Sequence, residues 1–142
     1  MVDKQYLIDT NEKLLSGWNE THQANPQPIG TRPEIDDIIP MVEKYDKKNM
    51  NLDDFIKKAS YLMAIISWQQ PFLDGNKRTG LVSAIKFLRE NGYSLDMPRE
   101  DQKEIRRLLY EIQDQRTSLD HSVVTKIIFY ITERVTVHEP KR

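Results

Sequence analysis

Cysteine is absent from the 142 residues. That removes disulfides, thiolate metal sites and cysteine nucleophiles together, and it is compatible with a reducing cytosol. No apolar run approaches the roughly 20 residues that span a bilayer, and the N-terminus carries no signal-peptide core, so a soluble, cytoplasmic protein without a membrane partner is expected. An excess of one charge is also missing. A net charge of −1 creates no basic field, and no direct DNA binding is expected. There is no internal repeat, low-complexity tract or linker. With 38% hydrophobic and 30% charged residues, the chain suits one globular domain over 1–142, with a polar tail from about 137 to 142 that frays.

What is present is helical periodicity. Leu7, Leu14, Leu15 and Trp18 fall near one face of a first helix over Asp3 to Glu20. Pro26, Pro28 and Gly30 then break the pattern across His22 to Arg32. Ile35, Ile38, Ile39 and Val42 predict a second helix over Pro33 to Tyr45; Pro40 inside it predicts a kink, or two short helices. Asn51 offers an N-cap, with Asp53 and Asp54 in the first turn of a helix whose apolar stripe runs from Leu52 to Trp68. A helix apolar over so much of its surface belongs at the centre of a fold. A fourth helix runs from near Asn76 to Asn91-Gly92, and Tyr93 to Asp96 reads as extended. Two more helices follow, from about Arg99 to Asp114 and from a cap at Ser118 to Asp120 through Val135. The β-branched run Val123 to Val137 keeps helical spacing and is assigned to helix.

Between the third and fourth helices lies Gln70-Pro71-Phe72-Leu73-Asp74-Gly75-Asn76-Lys77-Arg78-Thr79-Gly80. A helix starting near Asn76 points free N–H groups and partial positive charge at whatever lies beside Asp74 and Gly75, which favours anions. Asp74 offers a hard oxygen ligand for Mg²⁺. Gly75 permits close approach of backbone to phosphate. Asn76 can cap the helix or donate to phosphate, Arg78 offers a planar fork, and Lys77 a point charge. The same residues also suit an ordinary turn with a solvated Lys-Arg pair. The Walker A pattern is excluded, because no glycine precedes the lysine at its spacing.

The stretch resembles the Fic/Doc (Fido) family signature, HxFx[D/E]GN[G/K]R, at Phe72, Asp74, Gly75, Asn76 and Arg78. Lys77 in place of the usual glycine, and Leu81 in place of a second arginine, are similar to the Doc toxin branch. The resemblance implies an all-α Fido-type domain of about six helices, with a small flap near 22–32 that can be a β-hairpin. Ile29, Gly30, Thr31 and Arg32 loosely resemble the family's target-binding flap, which aligns a target segment by strand addition; a plain surface loop is the alternative. Arg32 can equally face phosphate or pair with Glu34. Ser16 and Glu20 are similar to part of an inhibitory [S/T]xxxE[G/N] motif, with Thr21 at its last position; a polar helix face accounts for them as well.

In activity, the resemblance implies transfer of AMP, or in the Doc branch phosphate, from ATP-Mg²⁺ to a hydroxyl of a protein target, a translation factor by resemblance. A partner antitoxin is implied too. Asp74 takes the metal position, Gly75, Asn76, Lys77 and Arg78 the phosphate positions, and Lys77 and Arg78 also act in catalysis. Gln70 stands where the family has its catalytic histidine. Glutamine cannot accept the proton, so an impaired or inactive enzyme is expected, or a silent nucleotide- or antitoxin-binding module. His22 lies on the flap side, and His121 and His138 read as surface residues.

Overall fold

The computed structural model describes residues 2–98, 100 and 102–137. Six helices carry the described chain: α1 (Lys4–Thr21), α2 (Ile35–Glu43), α3 (Leu52–Gln69), α4 (Asn76–Glu90), α5 (Gln102–Asp114) and α6 (His121–Arg134). The expected all-α class is the observed one. Two short strands, β1 (Tyr93–Leu95) and β2 (Val135–Val137), pair antiparallel with Tyr93 opposite Val137 and Leu95 opposite Val135.

α3 is the axis of the core. Residues Ala59 to Ser67 are buried without interruption. α4, α5, α6 and α2 all pack on it. The two serines in this run, Ser60 and Ser67, donate to the carbonyls of Ile56 and Met63 at 2.8 and 3.0 Å, so their burial leaves no hydroxyl unpaired. α4 lies close against α3 because Gly80 has no side chain: a Cβ there would stand 3.0 Å from the Met63 carbonyl oxygen. The α3–α4 pair therefore fixes the loop between them from both ends.

Several sequence expectations are corrected. In place of two short helices, α2 is one helix that continues through Pro40, which lies on the exposed face, while Ile35, Ile38 and Val42 bury on the other. Proline costs α2 one main-chain hydrogen bond there, and burial on both sides of it holds the helix together. The last helix ends at Arg134, and Val135–Val137 is a strand rather than helix or frayed tail, because β1 supplies its hydrogen-bond partners. The flap stretch 22–32 forms no hairpin; it makes one antiparallel bridge, Thr31 to Phe72. The expected helix start at Arg99, and the part of the expected tail from His138 to Arg142, lie outside the described residues.

Candidate active site

α3 ends on Gln70, which adopts the left-handed conformation (φ 51°, ψ 60°) and turns the chain out of the helix. Phe72, 1% exposed, then plugs into the core. Burial of such a side chain contributes about 1.5–3 kcal/mol and pins the loop. The loop is further closed by Asn76. The Phe72 N–H donates to Asn76 Oδ1 at 2.9 Å, and Asn76 Nδ2 donates to the Phe72 carbonyl at 3.0 Å. The Asn76 carboxamide is thus engaged within the loop, and what Asn76 can offer an anion is its backbone N–H.

Two other segments brace the loop. From α1, Asn11 Nδ2 donates to the Asp74 carbonyl at 2.9 Å and to Thr79 Oγ1 at 3.1 Å. From the flap, the Arg32 N–H donates to the Pro71 carbonyl at 2.7 Å and Leu73 N–H to the Gly30 carbonyl at 3.1 Å. Arg32 Nη1 reaches the carbonyls of Phe72 and Gln70 at 3.0 and 3.3 Å. Its guanidinium therefore clamps the motif loop instead of pairing with Glu34. Ile29 and Leu73 remain exposed side by side with this seam.

Gly75 begins α4 in the left-handed region (φ 74°), and a Cβ there would stand 3.2 Å from both Asn11 Nδ2 and Leu15 Cδ2. Its own N–H donates to Asp74 Oδ1 at 2.7 Å, leaving the second carboxylate oxygen available. Glycine supplies no capping side chain, and the first turn holds no acid. No described residue supplies an acceptor for the backbone N–H groups of Asn76, Lys77 and Arg78; the first paired amide is that of Thr79, bonded to the Gly75 carbonyl at 2.9 Å. Three donors and the positive end of a helix are left open beside Asp74.

The two cations diverge. Arg78 is exposed, with its guanidinium carbon 5.6 Å from the centre of the Trp18 ring. Lys77 turns towards α5, donating to Gln113 Oε1 and lying 4.3 Å from the centre of the Tyr110 ring. Burial lowers its pKa, against the opposing fields of Asp114 and Asp74.

No described histidine hydrogen-bonds to the loop. His22 stacks on Trp18 with ring centres 3.6 Å apart and bonds to the Trp18 carbonyl and Thr21 Oγ1. His121 is bonded through Nδ1 to the Tyr61 hydroxyl at 2.7 Å, whose pKa burial and Tyr45 push up to about 12. Ser16 and Glu20 are exposed on α1. Among the described residues no group of three or more histidines and carboxylates gathers to hold a metal, and Asp74 is the one carboxylate within the motif loop. That suits Mg²⁺, which is commonly held by one or two carboxylates together with substrate phosphates and water.

Four contributors were not singled out in the sequence: Asn11 and Trp18 as partners of the loop and Arg78, and Tyr110 and Gln113 as partners of Lys77. Trp18 was read there only as part of the apolar face of the first helix, and Asn11 left the trace of a polar residue in line with Leu7 and Leu15 at i, i+4 spacing.

Among known proteins, the Fic/DOC family model matches residues 2–88, which spans α1 through most of α4 and includes the whole motif loop. No curated protein and no solved structure matches the chain.

Proposed function

The chain belongs to the Fic/DOC family, and from that premise we propose that it is a Doc-like Fido transferase directed at a protein hydroxyl, with ATP-Mg²⁺ as donor and with its rate held down by Gln70. The observation that carries this reading is the open N-terminus of α4. Three backbone amides without a described acceptor open there next to Asp74, and the exposed Arg78 guanidinium extends from the same first turn along the Trp18 ring. Phosphoryl transfer asks a protein chiefly for positioning and for compensation of phosphate charge, and such an end supplies both. Bound Mg²⁺ would be held by Asp74 and would neutralise phosphate oxygens.

The target oxygen forms a bond to phosphorus as the bridging P–O bond breaks. ADP leaves if the γ-phosphate moves, and pyrophosphate leaves if AMP moves. The hydroxyl proton must go to an acceptor. Gln70 can orient the hydroxyl through its carboxamide but cannot take the proton. Loss of a general base costs about 10²–10⁴ in rate. The Doc branch, and with it phosphate transfer, is favoured by Lys77 and Leu81. Ile29 to Arg32 would present the target segment, Arg32 doing so indirectly by holding the loop.

Gln70 itself favours a second reading: a module that grips nucleotide, or an antitoxin helix, without turnover. One experiment separates the two. The wild-type chain and Gln70→His are incubated with a cell extract and ATP labelled at the α or the γ phosphate. The transferase reading expects label on a protein in Gln70→His, from γ for kinase and α for AMP transfer, with a trace at most from the wild type. No label from either, with ATP-Mg²⁺ binding intact by calorimetry, leaves the binding module. Brisk labelling by the wild type overturns the role given to Gln70, and absence of ATP-Mg²⁺ binding at millimolar concentration overturns the transferase and the nucleotide-binding module together, leaving only the antitoxin-binding one.

A further inference from the structure

We propose that the last turn of α5, through Tyr110 and Gln113, is a cradle that holds the Lys77 ammonium in place without neutralising it, so that this charge completes the phosphate site. The proposal rests on the phosphate-binding reading of the loop. It adds two positioning residues from beyond the matched residues 2–88.

Tyr110 and Gln113 stand three apart on one helix and so share a face. One gives the ammonium a π face at 4.3 Å from the ring centre, the other a carbonyl acceptor. Both are neutral. The C-terminal end of α5 adds a partial negative charge, which attracts a cation but does not pair it. Asp74 and Asp114 act on Lys77 from a distance, and neither makes a described ion pair with it. Burial outweighs them, and the pKa falls. A partly buried ammonium in this condition still lacks a counter-charge, and an arriving phosphate supplies one. The cradle also removes the rotamer freedom that a lysine would otherwise lose on binding. α5 is itself pinned to the start of the loop: Trp68, two residues before Gln70, donates from Nε1 to the Gln115 carbonyl at 2.8 Å.

A neutral cradle makes a signed prediction. Gln113→Glu would pair the ammonium and weaken ATP-Mg²⁺ binding by about tenfold, the scale of one charge-assisted hydrogen bond. Gln113→Ala and Tyr110→Leu, which only loosen it, would weaken binding by about three- to fivefold, and Tyr110→Phe would match the wild type. Tyr110 is half exposed, so these chains should fold. Calorimetric titration of ATP-Mg²⁺ into the full chain measures the series. In a Lys77→Met background, Gln113→Glu should add no further loss. Equal affinity across the series, or a Gln113→Glu loss that persists without Lys77, overturns the cradle and leaves the phosphate site standing. If the wild type binds no ATP-Mg²⁺, the phosphate reading fails, and the cradle is judged by NMR titration of the Lys77 side chain. There Gln113→Glu must raise the lysine pKa, and an unchanged titration overturns the cradle.

Discussion

At the start of α3, Asn51 accepts a hydrogen bond from the Asp54 N–H at 3.0 Å while the Asp54 carboxylate accepts one from the Asn51 N–H at 3.1 Å. At the start of α4 there is a glycine, no capping side chain, no acid, and a lysine and an arginine. The two helices pack on each other and face the same problem of unpaired N–H groups. α3 answers it internally, with a capping box and two acids in its first turn. α4 leaves it open and surrounds it with a loop braced from α1, the flap and its own Asn76. A helix end can thus be closed for stability or left with its donors open, and α3 and α4 stand on opposite sides of that choice.

The largest effect expected from breaking this contrast is that of Asn76→Ala. It leaves the Phe72 N–H and carbonyl without their carboxamide partner in a buried loop. At about 1–3 kcal/mol for each unsatisfied group, with Arg32 still on the carbonyl, a loss of about 2–4 kcal/mol is expected. Urea unfolding measures it, and ATP-Mg²⁺ binding should fall below detection. A loss under about 1 kcal/mol would mean that the loop is held by Phe72 burial alone.

Gly75→Ala comes next. The left-handed backbone costs alanine about 1–2 kcal/mol. The new methyl group also meets Asn11 and Leu15 at 3.2 Å. Unfolding should show a total loss of about 1–3 kcal/mol, with weakened nucleotide binding as the α4 end shifts. A neutral substitution would show that the open end does not depend on glycine.

The closed end was legible in the sequence and the open one only in part. Asn51, Asp53, Asp54 and the stripe behind them act within one or two helical turns, so local spacing carries them. The motif residues were legible for the same reason, being contiguous. What was not legible is long-range. Asn11 reaches Asp74, Arg32 reaches Gln70 and Phe72, and Gln113 reaches Lys77 across 36 residues. No periodicity encodes such pairings. Val135–Val137 failed similarly: β-branched residues suit helix or strand there, and the choice was made by a partner strand 40 residues away.

Asn51→Ala sharpens the comparison from the other side. Loss of an N-cap side chain costs about 1 kcal/mol. Because α3 begins with a closed end, this loss should appear in urea unfolding with no change in ATP-Mg²⁺ affinity. Any fall in affinity comparable to that of Gly75→Ala would mean that the two ends are not independent, and that the loop senses the stability of α3 as a whole.

The smallest effect is in the acid limb of stability. The Asp54 carboxyl is held below its ordinary value of 3.8, first by the Asn51 N–H and then by Lys47. The folded state therefore holds this proton less tightly than the unfolded chain. Its contribution is present above the unfolded value and is lost as the pH falls through the folded one. In urea unfolding from pH 6 to pH 2, Asp54→Asn should be slightly less stable than the wild type at pH 6. It should lose less on acidification below about 4 and converge with it at the acid end. Asp120, which caps α6 and is also lowered, chiefly by the Ser122 hydroxyl, should behave in parallel. Combining Asp54→Asn with Asp120→Asn should then flatten the limb further. The first turn of α4 contains no carboxylate to join them. If the slope below about pH 4 survives both substitutions unchanged, acid stability is set elsewhere, and the closed helix ends are not where this fold draws its pH dependence.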